Sequence, residues 1–155
     1  MIAARANHEL AQGNSISVIR FVEALLEDAF SARVSDIHIE PSLSAIRVRF
    51  RVDGLLRDMC SFERSLFSEV VSRIKILSRL RTDEHKLPQD GRFRHAVNEI
   101  FFDVRVSCIP TIHGESIVLR LLVNTTGEQT LAGLGFFPSD EEKIKDALKK
   151  QWGMV

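Results

Sequence analysis

The chain has 155 residues, 45% of them hydrophobic and 27% charged, enough for one domain with a real core and too apolar for a disordered segment. Lys+Arg and Asp+Glu both total 21, so the net charge is zero, which removes bulk electrostatic attraction to nucleic acid or to an anionic membrane. No apolar run reaches the roughly 20 residues that span a bilayer, the opening MIAARANHELAQGNS lacks a signal-peptide core, and Cys60 and Cys108 have no CxxC or metal-ligand spacing, so the expectation is a reduced, cytoplasmic chain whose membrane link comes through a partner.

Residues 1–14 read as a polar, irregular linker. From Ser15 the spacing of Val18, Phe21, Val22, Leu25, Leu26 and Ala29 predicts a helix with one apolar face, capped by Ser15 or Ser17. The period then changes to two. Ile37 and Ile39 alternate with Asp36, His38 and Glu40 up to Pro41. In 46–52, Val48, Phe50 and Val52 point one way and Arg47, Arg49 and Arg51 the other. Asp53-Gly54 is a two-residue hairpin signal, with 55–60 as the return strand. A second helix is predicted over 63–80, with Leu66, Val70, Val71, Ile74 and Leu77 inward. The polar segment 81–92 follows, in which Asp90-Gly91 reads as a turn. Strands over 92–97, 100–109 and 115–123 come next. After a loop holding Gly127, Gly133 and Gly135, Pro138, Ser139 and Glu142 announce a last helix, with Ser139 as its cap and Ile144, Ala147 and Leu148 as its apolar face. Strands joined by tight turns are antiparallel. The expected fold is therefore a two-layer α+β domain with helices mainly on one face of the sheet.

Chemistry in this pattern is sparse. No Gly-Lys pair occurs, so there is no P-loop to cradle phosphates, and Gly133-x-Gly135 lacks the third glycine of a dinucleotide loop. Asp36, His38 and Glu40 share a strand face but read as a polar face before they read as metal ligands. His113 and Glu115 flank a glycine turn without a recognisable catalytic arrangement. The basic residues are skewed instead. There are 15 Arg and 6 Lys, with Lys143, Lys145, Lys149 and Lys150 in the last stretch. Arginine offers a planar fork for phosphate and carboxylate. Arg105 in Asp103-Val-Arg-Val-Ser107 and Arg120 in Val118-Leu-Arg-Leu-Leu122 are embedded in apolar strands, where an unpaired charge is costly. Two partners remain open: an internal acid such as Asp103 or Glu115, or a phosphate presented by a neighbour, as an arginine finger would meet it.

Five segments in order carry a resemblance: Val34-Ser-Asp-Ile-His-Ile-Glu-Pro41, Ile46-Arg-Val-Arg-Phe-Arg-Val-Asp-Gly54, Leu87-Pro-Gln-Asp-Gly-Arg92, Asp103-Val-Arg-Val-Ser107 and His113-Gly-Glu-Ser-Ile-Val-Leu-Arg120. Together they resemble the type II secretion and type IV pilus assembly ATPases, hexameric cytoplasmic motors. The resemblance implies that residues 15–137 are the PAS-like α+β half of the motor module. It implies that 138–155 begin the RecA-like ATPase domain, with Trp152-Gly-Met-Val155 opening the strand before the Walker A loop and the chain truncated there. It further implies that Arg105 and Arg120, with Arg92 as a weaker candidate, contact nucleotide phosphates. Mg-ATP would belong to the parent protein, with no cofactor or metal held by this segment alone. The implied partners are the RecA-like domain, neighbouring subunits of the ring and inner-membrane platform proteins that hold the motor peripherally at the membrane. Two rivals stand beside this reading. One is a free-standing PAS-like module with a small ligand in an apolar pocket. The other is a nucleic-acid module using Arg47, Arg49 and Arg51, which zero net charge and the lack of interleaved aromatics oppose.

Overall fold

The computed structural model describes residues 3–13, 16–123 and 130–154. The chain divides into two compact units, 1–124 and 125–155, and each unit is described by itself.

In the first unit, helix α1 (Ala4–Leu10) and helix α2 (Val18–Ser31) precede strands β1 (Asp36–Pro41), β2 (Ile46–Val52) and β3 (Leu55–Phe62). A 3-10 turn (Arg64–Leu66) leads into helix α3 (Phe67–Leu77), and strands β4 (Gln89–Val97), β5 (Ile100–Thr111) and β6 (Gly114–Leu122) complete the unit. The six strands form one sheet in the order β3-β2-β1-β6-β5-β4, and every neighbouring pair is antiparallel. Two three-stranded meanders are thus joined through β1 and β6. This is the expected α+β architecture with an open antiparallel sheet.

One face of the sheet makes the core. Ile37, Ile39, Val48, Phe50, Val104, Val106, Ile117 and Leu119 are buried with Phe21, Leu25 and Leu26 of α2 and Val70, Val71 and Ile74 of α3. The period-two alternation in the sequence places these residues on a single face, and burying them is the main favourable term for the unit. Asp53 (φ 49) and Gly54 (φ 79) both take left-handed backbone, the pair of conformations a two-residue primed hairpin turn requires. Asn98 (φ 49) and Glu99 (φ 64) make the same kind of turn between β4 and β5 with no glycine.

Four expectations are corrected here. Within the stretch 1–14, Ala4–Leu10 is helical rather than irregular. Ala3 and Ala6 are buried, and the buried Asp28 carboxylate of α2 accepts from the Ala6 backbone N–H at 3.0 Å and from Arg5 Nη1 at 3.2 Å. A carboxylate at a helix N-terminus satisfies an orphan donor and the end charge together. The polar appearance of the stretch hid a small-residue face. Helix 63–80 is interrupted, with a 3-10 entry and an early end at Leu77. Arg79 (φ 58) turns left-handed there, and the bonds Leu80 N–H to Lys75 O (2.8 Å) and Arg79 N–H to Ile76 O (3.2 Å) form a Schellman stop. Asp90-Gly91 is not a turn but part of β4, facing Ser107 and Val106. Finally, Ser139 is not a cap. In the second unit helix α4 (Pro138–Leu148) starts from Phe137 with Pro138 in its first turn and no side-chain cap, as the fixed φ of proline favours. Ser17 does cap α2, its side chain accepting from the Arg20 N–H at 3.5 Å; Ser15 and Gly127 lie outside the described residues. Of the apolar face predicted for α4, Ile144 and Ala147 are half-buried and Leu148 is exposed.

Candidate functional site

Within the first unit the helices cover one side of the sheet, and the other side carries the arginines. The register puts Arg51 opposite Asp36, Asp36 opposite Arg120, Arg120 opposite Arg105 and Arg105 opposite Arg92. Directly opposed residues share a face. Five strands therefore contribute one transverse row, Arg51–Asp36–Arg120–Arg105–Arg92. All three arginines singled out in the sequence lie in it, although β4, β5 and β6 bring them from positions 92, 105 and 120.

Arg105 and Arg120 do lie in strands β5 and β6, but they are exposed, which corrects the expectation of buried charges. Their apolar neighbours Val104, Val106, Leu119 and Leu121 point into the core, and alternation turns the arginines outward. Arg120 Nε donates to Asp36 Oδ1 at 2.8 Å while its side chain stays 62% exposed. The internal acid is thus Asp36. Asp103 instead pairs with Arg94 at 3.1 Å and Glu115 with Lys75 at 2.6 Å. Among the described residues, neither Arg105 nor Arg92 has a carboxylate within 4.0 Å. Asp90, Arg105, Ser107, Val118 and Arg120 line a shallow depression of about 210 Å³. Its rim offers two guanidinium groups and a hydroxyl as donors suited to a phosphate-sized anion, with the Asp90 carboxylate beside them as an acceptor.

Asp36 is the hub of the row. It is 4% exposed, although it lies on the sheet face opposite the helices of the first unit. Its Oδ1 accepts from Arg120, and its Oδ2 accepts from Ser35 Oγ at 2.9 Å and lies 3.4 Å from Arg51 Nε. Burial pushes the carboxyl up, but the hydrogen bonds from Arg120 and Ser35 and the charges of Arg120 and Arg51 outweigh it and hold the group below its ordinary value. The same pair raises the Arg120 guanidinium, first through the hydrogen bond to Asp36.

The other polar residues of β1 are also engaged. Arg49 Nη2 donates to Glu40 Oε1 and Oε2 at 2.7 and 2.8 Å. His38 Nδ1 is 3.7 Å from Glu40 Oε1, and burial lowers the His38 imidazole. Among the described residues no group of three or more His, Cys, Asp and Glu is arranged to hold a metal ion. His113 and Glu115 do not converge, because His113 is in the β5–β6 turn and Glu115 turns into the core.

Sequence reasoning missed the buried polar cluster behind the site. Lys75 on α3 is 0% exposed. Its Nζ lies 2.6 Å from Glu115 Oε1 and donates to the Glu84 carbonyl at 2.6 Å, while Glu115 Oε2 is 2.7 Å from His85 Nδ1. The available signal was Lys75 itself, a lysine inside Ile74-Lys-Ile-Leu77 and one helical turn after Val71. Gln89 closes the same segment, accepting from Arg81 N at 2.9 Å and donating to the Arg81 and Glu84 carbonyls at 3.0 Å. Gly91 lets β4 approach α3, since a Cβ there would stand 2.7 Å from the Ser78 carbonyl oxygen and 2.8 Å from Leu80. The Gln89-Asp-Gly-Arg92 segment thus anchors the start of the strand that carries Arg92.

The first unit is thus a two-layer α+β domain with a transverse arginine row on the sheet face opposite its helices. The chain belongs to the type II/IV secretion system protein family, whose description it matches over residues 11–155. It is 38% identical over 135 residues to the type IV pilus assembly ATPase PilB of Thermus thermophilus, covering 87% of this chain and 15% of that protein. It is 43% identical over 138 residues to the type II secretion system protein HxcR of Pseudomonas aeruginosa, covering 89% and 29%. Against the putative type II secretion system protein E of Escherichia coli the identity is 36% over 151 residues, covering 97% and 31%. The chain therefore spans less than a third of these relatives. Among solved structures, the X-ray structure of the Legionella pneumophila ATPase DotB superposes with a TM-score of 0.54 at 17% identity, covering 86% of this chain and 36% of that one, a likeness of fold. No helix among the described residues is long and apolar enough to cross a membrane.

Proposed function

We propose that this chain is the regulatory and coupling segment of an ATPase that powers type II secretion or type IV pilus assembly. In this reading a RecA-like domain of the parent protein holds Mg-ATP. The open sheet face closes on it, and Arg105 and Arg120 grip the nucleotide phosphates, with Arg92 at the end of the row as a supporting cation. Two guanidinium groups aimed at a transferring phosphoryl group stabilise the charge that develops on it. Hydrolysis and phosphate release remove the anion and with it the attraction. The domain then moves as a rigid body, and a hexameric ring converts that movement into work on inner-membrane platform proteins. The segment supplies the phosphate clamp and the lever but no nucleotide-binding loop of its own, and it works on the cytoplasmic side.

The observation that carries this reading is the cross-strand pairing of Arg105 with Arg120. Like charges directly opposite are unfavourable in the isolated sheet, and a phosphate between them removes the repulsion. The free-standing ligand module is less well supported, because large side chains such as Phe21, Leu25, Ile37, Phe50 and Leu119 fill the space between sheet and helices. The test is ATP turnover by the parent ATPase. Arg105→Ala and Arg120→Ala each lower it by about 100-fold, as loss of a transition-state cation does, with the domain still folded. Unchanged turnover in both variants would refute the phosphate contact.

A further inference from the structure

Asp36 is a buried acid at the foot of an exposed cation. Its hydrogen-bond geometry is selective. Arg120 meets Asp36 through Nε at 2.8 Å, and Asp36 lies on the β1 side of Arg120 while Arg105 lies on the β5 side. The guanidinium is a rigid plane with five N–H donors. Fixing the Nε edge on the carboxylate sets the orientation of the plane and leaves the terminal amines free, on a side chain that is still 62% exposed. Asp36 is fixed in turn by Ser35 Oγ at 2.9 Å and by Arg51 Nε at 3.4 Å. Arg51 is itself tied to the hairpin through Nη1 and the Gly54 carbonyl at 3.1 Å. The chain of contacts runs from the β2–β3 turn through Arg51 and Asp36 to Arg120.

We propose that Asp36 is a positioning residue: it holds Arg120 by its Nε edge so that the terminal amines face the phosphate that Arg105 also meets. This rests on the phosphate reading above and adds a residue to it. A freely rotating arginine would have to be ordered in each catalytic cycle, whereas a preorganised one has lost that freedom on folding. Lysine cannot replace it, because one ammonium cannot hold the carboxylate with one edge and present a fork with the other.

The experiment is steady-state ATP hydrolysis by the full-length ATPase carrying Asp36→Asn, Arg120→Ala, Arg120→Lys and the Asp36→Asn/Arg120→Ala double change. Asp36→Asn lowers kcat by about ten-fold with KM changed by less than about three-fold, the pattern of an interaction made mainly in the transition state. Arg120→Lys, a change at an exposed position that keeps the charge and the fold, falls as far as Arg120→Ala. The double variant is no slower than Arg120→Ala alone, because Asp36 acts only through Arg120. If Arg120→Ala lowers turnover but Asp36→Asn leaves it unchanged or raises it, the positioning role is overturned while the phosphate contact stands. Additive losses in the double variant, or near-normal turnover with Arg120→Lys, overturn it too. Unchanged turnover in Arg120→Ala removes both proposals together.

Discussion

Arg105 on β5 and Arg120 on β6 stand directly opposite each other, two like charges on the sheet face opposite the helices of the first unit. Among the described residues, Asp36 is a carboxylate partner of Arg120, and Arg105 has none. Such a pair costs stability in the free domain. Arg105→Ala in this chain therefore leaves the urea midpoint unchanged or raises it, by up to about 1 kcal/mol of stability. A clear loss of stability would mean that Arg105 holds the sheet together and is not kept for a partner.

The Asp36–Arg120 pair gives stability a pH dependence. The folded-state value of Asp36 lies below its ordinary one, so its contribution is fully present above the unfolded value of about 3.9 and is lost as pH falls through the folded value. Asp36→Asn is then less stable than the wild type near neutrality, and the difference closes as the solution is acidified. Urea midpoints measured from about pH 7 down to about pH 3 test this, and a difference that widens with acid would contradict it.

Lys75 and Glu115 form a buried ion pair at 2.6 Å. Replacing one partner strands a charge that has left water, so Glu115→Gln destabilises by about 3–5 kcal/mol. A double change to apolar residues, Lys75→Met with Glu115→Leu, recovers most of that loss, because no buried charge remains. Equilibrium denaturation of the three proteins measures both effects.

Gly91→Ala places a methyl 2.7 Å from the Ser78 carbonyl oxygen, an approach that backbone on both sides must yield to. The cost is about 1–3 kcal/mol, read as a lower thermal midpoint. The analogous Gly54→Ala change has no atom within 4 Å of the added carbon, and its cost comes only from left-handed backbone.

Asp28→Ala removes the carboxylate that accepts from Ala6 and Arg5. Amide exchange over Ala4–Leu10 then rises sharply while exchange in β1 and β6 changes little, since the core beneath them is intact. Equal protection in the variant would show that α1 is held by its alanine face alone.

Much of the fold was legible because the strands alternate cleanly. Arg47, Arg49 and Arg51 against Val48 and Phe50 fixed both the strand and its two faces, and Asp53-Gly54 fixed the hairpin. What alternation cannot supply is which strands are neighbours. The pairing of β1 with β6 joins residues 84 positions apart in Asp36 and Arg120, and without it neither the row nor the acid could be seen. The same apolar flanks that marked Arg105 and Arg120 also made them look buried, although their neighbours face the other way. Lys75 went unread because a lysine in an apolar run is usually a surface residue. Asp90-Gly91 looked like a turn because Asp-Gly is turn chemistry; here the glycine serves close packing against Ser78.

The most direct measurement of the central claim is a structure of the parent ATPase with a non-hydrolysable ATP analogue. The account predicts terminal guanidinium nitrogens of Arg105 and Arg120 within about 3 Å of phosphate oxygens, with Arg120 Nε still on Asp36. Phosphates engaged elsewhere, with both arginines turned to solvent or to protein carboxylates in the closed, nucleotide-loaded state, would contradict it.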